Sequence, residues 1–176
     1  MKKILIANRG EIAVRIIRSC KELGMRTVAV HSLVDKESLH TKLADESVCI
    51  GPNPSHQSYL SIPHIMSAVE ITGADAIHPG YGYLSEDFTF ARICQESGIT
   101  FIGPSYQQIE SLGNKITAKK MAKSAGLQLL PGCTHAISNY QEALQIAKEI
   151  EFPVILKAAS GGGGRGLKVI TSPEEF

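Results

Sequence analysis

Paired cysteines, a surplus of one charge and long apolar runs are all missing from this chain. Its four cysteines, Cys20, Cys49, Cys94 and Cys133, stand far apart, with no C-x-x-C pair and no histidine cluster beside them. That pattern excludes a disulfide framework and a zinc ribbon, and leaves reduced core thiols as the expected role. Lys and Arg number 18 against 17 Asp and Glu, a net charge of +1. Neither nucleic acid nor a membrane surface is therefore an expected partner. No apolar stretch reaches about 18 residues, so no transmembrane helix is expected. The opening Met-Lys-Lys-Ile-Leu-Ile-Ala resembles a signal peptide, but Asn8, Arg9 and Glu11 interrupt it, and it reads as a buried strand. The histidines (31, 40, 56, 64, 78 and 135) show no ligand spacing, and no nucleophile elbow or triad pattern is present.

What is present over the first hundred residues is an alternation of short apolar strands and amphipathic helices. Strands are expected at residues 3–7, 26–31, 47–50, 74–77 and 99–102, with helices between them at 9–23, 38–43, 62–72 and 87–97. Asn8 followed by Glu11 has the spacing of a capping box, and Ile12, Ile16, Cys20 and Leu23 give the first helix its apolar stripe. Strands of this kind separated by helices imply a parallel sheet covered on both faces, a Rossmann-like half. Gly103-Pro104 marks a break. Helices are then expected at 106–112 and at 115–125 behind an Asn114 cap, followed by a short strand at 127–130. Ser138 and Gln141 form a second capping-box pattern, opening a helix through 150. Strands at 152–156 and 167–171 enclose a glycine loop, and Ser172-Pro173-Glu174-Glu175 reads as a helix start. The domains are expected to be 1–103 and 104–176, the second incomplete.

The loop, Lys157-Ala-Ala-Ser-Gly-Gly-Gly-Gly-Arg-Gly166, carries the clearest chemistry. Glycines let backbone N–H groups close on a bulky anion, and Lys157 and Arg165 add positive charge. Gly161, Gly163 and Gly166 match the pattern G-x-G-x-x-G, but a dinucleotide fingerprint needs a helix after the loop, and Leu-Lys-Val-Ile-Thr follows here. No Gly-Lys-Ser/Thr closes it, so it is not a Walker loop. A strand-loop-strand phosphate cover remains, against the plain alternative of a surface hairpin without a ligand. The segment Ala76-Ile-His-Pro-Gly-Tyr-Gly-Tyr-Leu-Ser-Glu86 follows a buried strand at its carboxyl end, where open α/β sheets place ligands. A simple turn with Ser85 as N-cap is the alternative. Asn8 and Arg9, also at a strand's carboxyl end, either face a ligand or merely cap a helix. Lys115 at a helix start opposes the macrodipole, which a phosphate partner would explain.

Taken together and in order, IANRGEIA-R, ADE-V-IG, IHPGYG-LSE, FIGP, Gly113-Asn-Lys115 and FPVILKA-SGGGGRG resemble the biotin carboxylases, over residue 4 to the last. The resemblance implies a Rossmann-like domain preceding the beginning of an ATP-grasp fold. It implies ATP- and bicarbonate-dependent carboxylation of biotin on a carrier protein, the first half-reaction of acetyl-CoA carboxylase in fatty-acid synthesis, with pyruvate and propionyl-CoA systems as alternatives. Lys115 and Lys157 match nucleotide-contacting lysines, and Gly163 and Gly164 match glycines over the phosphates. Tyr81, Gly82 and Glu86 match a turn near the biotin and bicarbonate end. Arg18 and Glu22 correspond to a homodimer contact. Ser160 stands where a fifth glycine is expected. ATP with magnesium and carrier-bound biotin are the implied cofactors, and the biotin carboxyl carrier protein and carboxyltransferase subunits the implied partners, in the cytoplasm. Metal ligands and the catalytic base are expected outside these residues, leaving them inactive alone. Two other readings compete: a non-catalytic dimerisation or docking module, and an NAD-dependent oxidoreductase, which the strand after the loop disfavours.

Overall fold

The apolar run at the start of the chain becomes the middle of a sheet. In this computed structural model, which describes residues 2–133, 135–158 and 166–175, β1 (Lys3–Ile6) pairs in parallel with β2 (Arg26–His31) on one side and β4 (Ala76–His78) on the other. β3 (Glu46–Cys49) lies beyond β2, and β5 (Thr100–Phe101) beyond β4, both parallel. The order β3-β2-β1-β4-β5 is the Rossmann-like arrangement expected from the sequence.

Successive side chains of a strand point to opposite faces, and both faces here are covered. Leu5, Val28, Val30 and Ile77 enter one core with Ile65 and Val69 of α3 (Ile62–Thr72) and Phe90 and Cys94 of α4 (Phe88–Glu96). Ile4, Ile6, Ala29 and Ala76 enter another with Ala13, Ile16, Ile17 and Cys20 of α1 (Gly10–Glu22). A strand buried on two sides must be apolar at every position, which is why β1 reads as an unbroken run. β3, at the sheet's edge, instead alternates half-buried and exposed residues. α2 (Leu39–Leu43) is a short helix between β2 and β3.

The chain divides into compact units Met1–Ile109 and Glu110–Phe176. α5 (Tyr106–Gly113) spans the division. The second unit contains α6 (Lys115–Ser124), α7 (Tyr140–Ile150) and an antiparallel hairpin of β6 (Val154–Lys157) and β7 (Leu167–Ile170). Asn114 caps α6 as expected, its Oδ1 accepting from the N–H groups of Ile116 at 3.0 Å and Thr117 at 3.1 Å.

Several local expectations are corrected. Arg9, not Asn8, occupies the N-cap of α1 and makes no side-chain cap, because Asn8 is engaged elsewhere. Leu23 ends α1 and is exposed, so it does not belong to the apolar stripe. Asp87 rather than Ser85 caps α4, accepting from the N–H of Phe90 at 2.9 Å. The second capping box is shifted by one residue: Asn139 accepts from Glu142 N at 2.9 Å, and Glu142 accepts from Ser138 N at 2.9 Å. Residues 127–130 form no strand, since no neighbouring strand pairs with them among the described residues. The expected helix start near residue 173 is a single 3₁₀ turn, Pro173–Glu175. Cys20 and Cys94 are core thiols, the latter pushed up to about 12 by burial, but Cys49 is exposed and Cys133 half-buried.

Phe90 reports on this packing, because it is fully buried and edge-on to Phe101 with ring centroids 5.9 Å apart. Phe90→Ala should lower the free energy of unfolding in urea by about 3–5 kcal/mol, the usual range for emptying an aromatic core position. A loss below about 1 kcal/mol would mean that the α4 face carries little of the core.

Candidate functional site

At the carboxyl edge of the sheet, the chain leaves β1 and β4 in neighbouring positions, with their crossovers running to opposite sides. This is the switch point where open α/β sheets have a crevice. Here the side chain of Asn8 fills it. Its Nδ2 donates to the carbonyl oxygens of Pro79 at 2.7 Å and Tyr81 at 2.8 Å, while its Oδ1 accepts from the N–H of Arg9 at 2.9 Å. Asn8 is almost wholly buried, so each of these groups would be costly to leave unpaired.

The turn after β4 is shaped around that side chain. Gly80 has φ +66, and a Cβ there would lie 2.8 Å from Asn8 Nδ2, so both the backbone angle and the space require glycine. The N–H of Gly80 donates to His78 Nδ1 at 3.0 Å. Burial lowers the pKa of His78, which keeps Nδ1 free of a proton and able to accept. Tyr81 follows, mostly exposed, with its hydroxyl donating to Glu11 Oε1 in the first turn of α1. Gly82, at φ +68, turns the chain again. Tyr83 adopts φ +41, and its ring stacks on Tyr59 with centroids 5.1 Å apart. Glu86 is exposed at the end of this turn.

A second cluster, absent from the sequence-based reading, stands beside the first. Asp35, in the 3₁₀ turn Leu33–Asp35 after β2, accepts from the hydroxyls of Tyr59 at 2.7 Å and Ser32 at 3.0 Å. It also pairs with Arg9 Nη2 at 2.9 Å. Burial alone would raise the Asp35 carboxyl, but the two hydroxyls and the guanidinium outweigh it and hold it below the ordinary value. Burial and then Asp35 raise the Tyr59 phenol, so it stays a donor to the carboxylate. The Arg9 guanidinium lies 5.7 Å from the centroid of the Tyr59 ring. Arg9 thus has an anion on one side and an aromatic face on another. Tyr59 lies 24 residues from Asp35 and 50 from Arg9, so no local spacing signals the group; only the presence of a buried-ready Asp after an apolar strand hints at it.

Arg18 and Glu22, expected at a homodimer contact, line one groove of about 850 Å³ along α1, together with Arg15, Ser19, Ser38 and His40. His40 is buried, and its Nε2 bonds to the carbonyl of Val30 at 3.2 Å. Nδ1 has no hydrogen-bond partner among the described residues, and burial lowers the ring's pKa.

In the second unit, the two expected lysines meet at the base of the glycine hairpin. Lys157 is the last residue of β6, in register with Leu167 of β7. One rung further, Ala158 N donates to Gly166 O at 3.2 Å. Lys115, the first residue of α6, donates from Nζ to Ala158 O at 3.0 Å. Gly163 and Gly164 lie outside the described residues. Among the described residues no group of three or more His, Cys, Asp or Glu side chains gathers as a metal site, and no helix is long and apolar enough to cross a membrane.

The chain is similar in sequence and fold to known proteins. The profile of the biotin carboxylase N-terminal domain matches residues 1–109, and that of the carbamoyl-phosphate synthase L chain ATP-binding domain matches residues 114–176. Biotin carboxylase 1 of Bacillus subtilis is 53% identical over 176 residues, covering all of this chain and 39% of that protein. A biotin carboxylase from Campylobacter jejuni, solved as a β,γ-ATP complex, superposes with a TM-score of 0.94 at 49% identity, over 98% of this chain and 39% of the other. The biotin carboxylase domain dimer of the Hydrogenobacter thermophilus 2-oxoglutarate carboxylase, with MgADP, ADP and bicarbonate, gives a TM-score of 0.93 at 49% identity, over 99% of this chain and 38% of the other. The chain thus spans about two fifths of the length of these relatives.

Asn8→Ala should lower the free energy of unfolding by about 2 kcal/mol or more, because the carbonyls of Pro79 and Tyr81 lose their donor. Asn8→Asp keeps the acceptor oxygen and loses both donors, so it should be as damaging. An Asp variant as stable as the parent would show that the amide donors do not hold the turn. A second test concerns pH. The folded-state pKa values of His40 and Asp35 are both depressed, so each group adds stability above its unfolded pKa that is lost as pH falls. That loss sets in near pH 6.5 for the histidine and near pH 4 for the aspartate. Urea stability should therefore decline between about pH 7 and 5, where buried His78 contributes in the same direction, and His40→Gln, which still offers a donor to Val30, should make that stretch shallower. An equally steep decline in the variant would remove His40 as its source.

Proposed function

This chain belongs to the biotin carboxylase family, and from that premise we propose that it serves as the ATP-using part of a biotin-dependent carboxylase. The reaction is ATP-driven activation of bicarbonate and carboxylation of biotin on a carrier protein. The observation that carries this reading is the meeting of Lys115 and Lys157 at the base of the glycine hairpin, where Lys115 Nζ reaches the carbonyl of the residue after Lys157. One ammonium held at the base of a glycine-rich loop, beside a strand that ends in a second lysine, suits the charge of a triphosphate. In phosphoryl transfer, positioning and charge neutralisation supply most of the rate.

In this assignment Lys115 and Lys157 bind phosphate oxygens, and Gly163 and Gly164, outside the described residues, belong to the same nucleotide-binding set. Magnesium accompanies the nucleotide, and the described residues gather no carboxylate cluster for it. Tyr81, Gly82 and Glu86 form the turn at the biotin and bicarbonate end, supported by its place at the carboxyl edge of the sheet. Arg18 and Glu22 belong to a homodimer contact, supported by the groove they line. We place the domain limits at 1–103 and 104–176, at the Gly103-Pro104 break, slightly before the division between the compact units at Ile109. The partners are a biotin carboxyl carrier protein and carboxyltransferase subunits, in the cytoplasm, with acetyl-CoA carboxylase of fatty-acid synthesis as the system served. Turnover needs the further length that the relatives have, and residues 1–176 alone are expected to be inactive.

The complete protein should hydrolyse ATP in a manner dependent on both bicarbonate and biotin, and hydrolysis indifferent to both would refute the assignment. Within it, Lys157→Ala should weaken ATP binding about tenfold or more in calorimetric titration, the worth of one hydrogen bond to a charged group. Unchanged affinity would remove Lys157 from the nucleotide site.

A further inference from the structure

We propose that Glu11 is a positioning residue for the carboxylation reaction, acting through the phenol of Tyr81. This rests on the reading above, in which the turn bearing Tyr81 faces the biotin end of the site. Two different groups hold that residue. Its backbone is fixed by Asn8, which binds the Tyr81 carbonyl, and by left-handed glycines on either side. Its side chain stands 62% exposed, clear of the hydrophobic core, and its hydroxyl donates to Glu11 Oε1.

Glu11 is well placed to be a fixed acceptor. It lies in the first turn of α1, where the macrodipole favours a carboxylate. The helix is anchored on the sheet by Ala13, Ile16 and Ile17, all buried against β1 and β4 residues. The two residues are 70 apart in sequence and sit on the connections that leave the two strands flanking the switch point. Glu11 therefore does for the phenol what Asn8 does for the backbone. An exposed aromatic ring turns about two side-chain torsions, and the carboxylate selects one orientation before any ligand arrives. Any ligand that packs on the ring then avoids the ordering cost, which for one side chain is worth about two- to tenfold in affinity. Glu11 itself does not touch the ligand.

The test uses steady-state kinetics of the complete protein, with free biotin as the acceptor. Glu11→Ala should raise the KM for biotin about two- to tenfold while leaving the KM for ATP unchanged. Glu11→Gln, whose amide oxygen still accepts the phenolic proton, should restore most of the loss. In a Tyr81→Phe background, which has no hydroxyl to orient, Glu11→Ala should add nothing further. Equal biotin KM values for the parent and Glu11→Ala would overturn the inference. So would a common rise in both KM values accompanied by a lower melting temperature, which is the mark of a purely structural contact. Additive effects of Glu11→Ala and Tyr81→Phe would likewise overturn it. Failure of the underlying reading looks different: the parent protein itself would then show no biotin-dependent turnover.

Discussion

The carboxamide of Asn8 is the constraint on which the carboxyl edge of the sheet depends. All of its polar atoms are engaged: two donors on the turn after β4 and one acceptor on the start of α1. It joins the two connections that diverge at the switch point, and it occupies the space between them. In dinucleotide-binding relatives of this topology that space admits a pyrophosphate, helped by glycines after the first strand. Here a side chain closes it, and the glycine requirement moves to position 80, opposite the amide. The same strand order thereby supports a rigid rim instead of a nucleotide cleft.

Charge is handled differently in the two units. Around Asp35 it is largely buried and answered: the hydroxyls of Tyr59, Ser32 and Ser38 and the Arg9 guanidinium surround one carboxylate, and the Tyr59 ring lies against that guanidinium. Such a cluster orients its members, and Arg9 is the one that reaches the rim. At the hairpin the lysines are partly or fully exposed, and Lys115 rests on a backbone carbonyl. An ion pair such as Arg9–Asp35 has already used much of its attraction for other charges. Under the proposed function, the first cluster shapes the rim and the lysines receive the nucleotide.

Much of this was legible in the sequence, for identifiable reasons. The strands of the sheet are buried on both faces, so their apolar runs stand out, and glycine marks the backbone angles of the turn and the loop. The cap of α7 was misplaced by one residue because two competent residues adjoin. Ser138 and Asn139 can both cap, and the choice depends on backbone angles that composition does not reveal. Asn8 resembled a cap because its use, a turn more than 70 residues away, is a tertiary fact. Residues 127–130 have the composition of a strand but no partner, and a four-residue apolar run carries no period strong enough to decide. The cluster around Asp35 and the bond from Tyr81 to Glu11 were not legible, because each joins residues that only the sheet topology brings together.

Gly166 illustrates how a residue without a side chain can govern the placement of charge. It adopts φ +70, and a Cβ added to it would press on the Cβ of Ala158 at 3.2 Å. Ala158 is also the residue whose N–H closes the last rung of the hairpin and whose carbonyl receives the Lys115 ammonium. Any side chain at 166 would push on that rung and shift the oxygen that anchors the lysine. The seat of one positive charge thus depends on an absent methyl group, at a position that contributes no charge of its own.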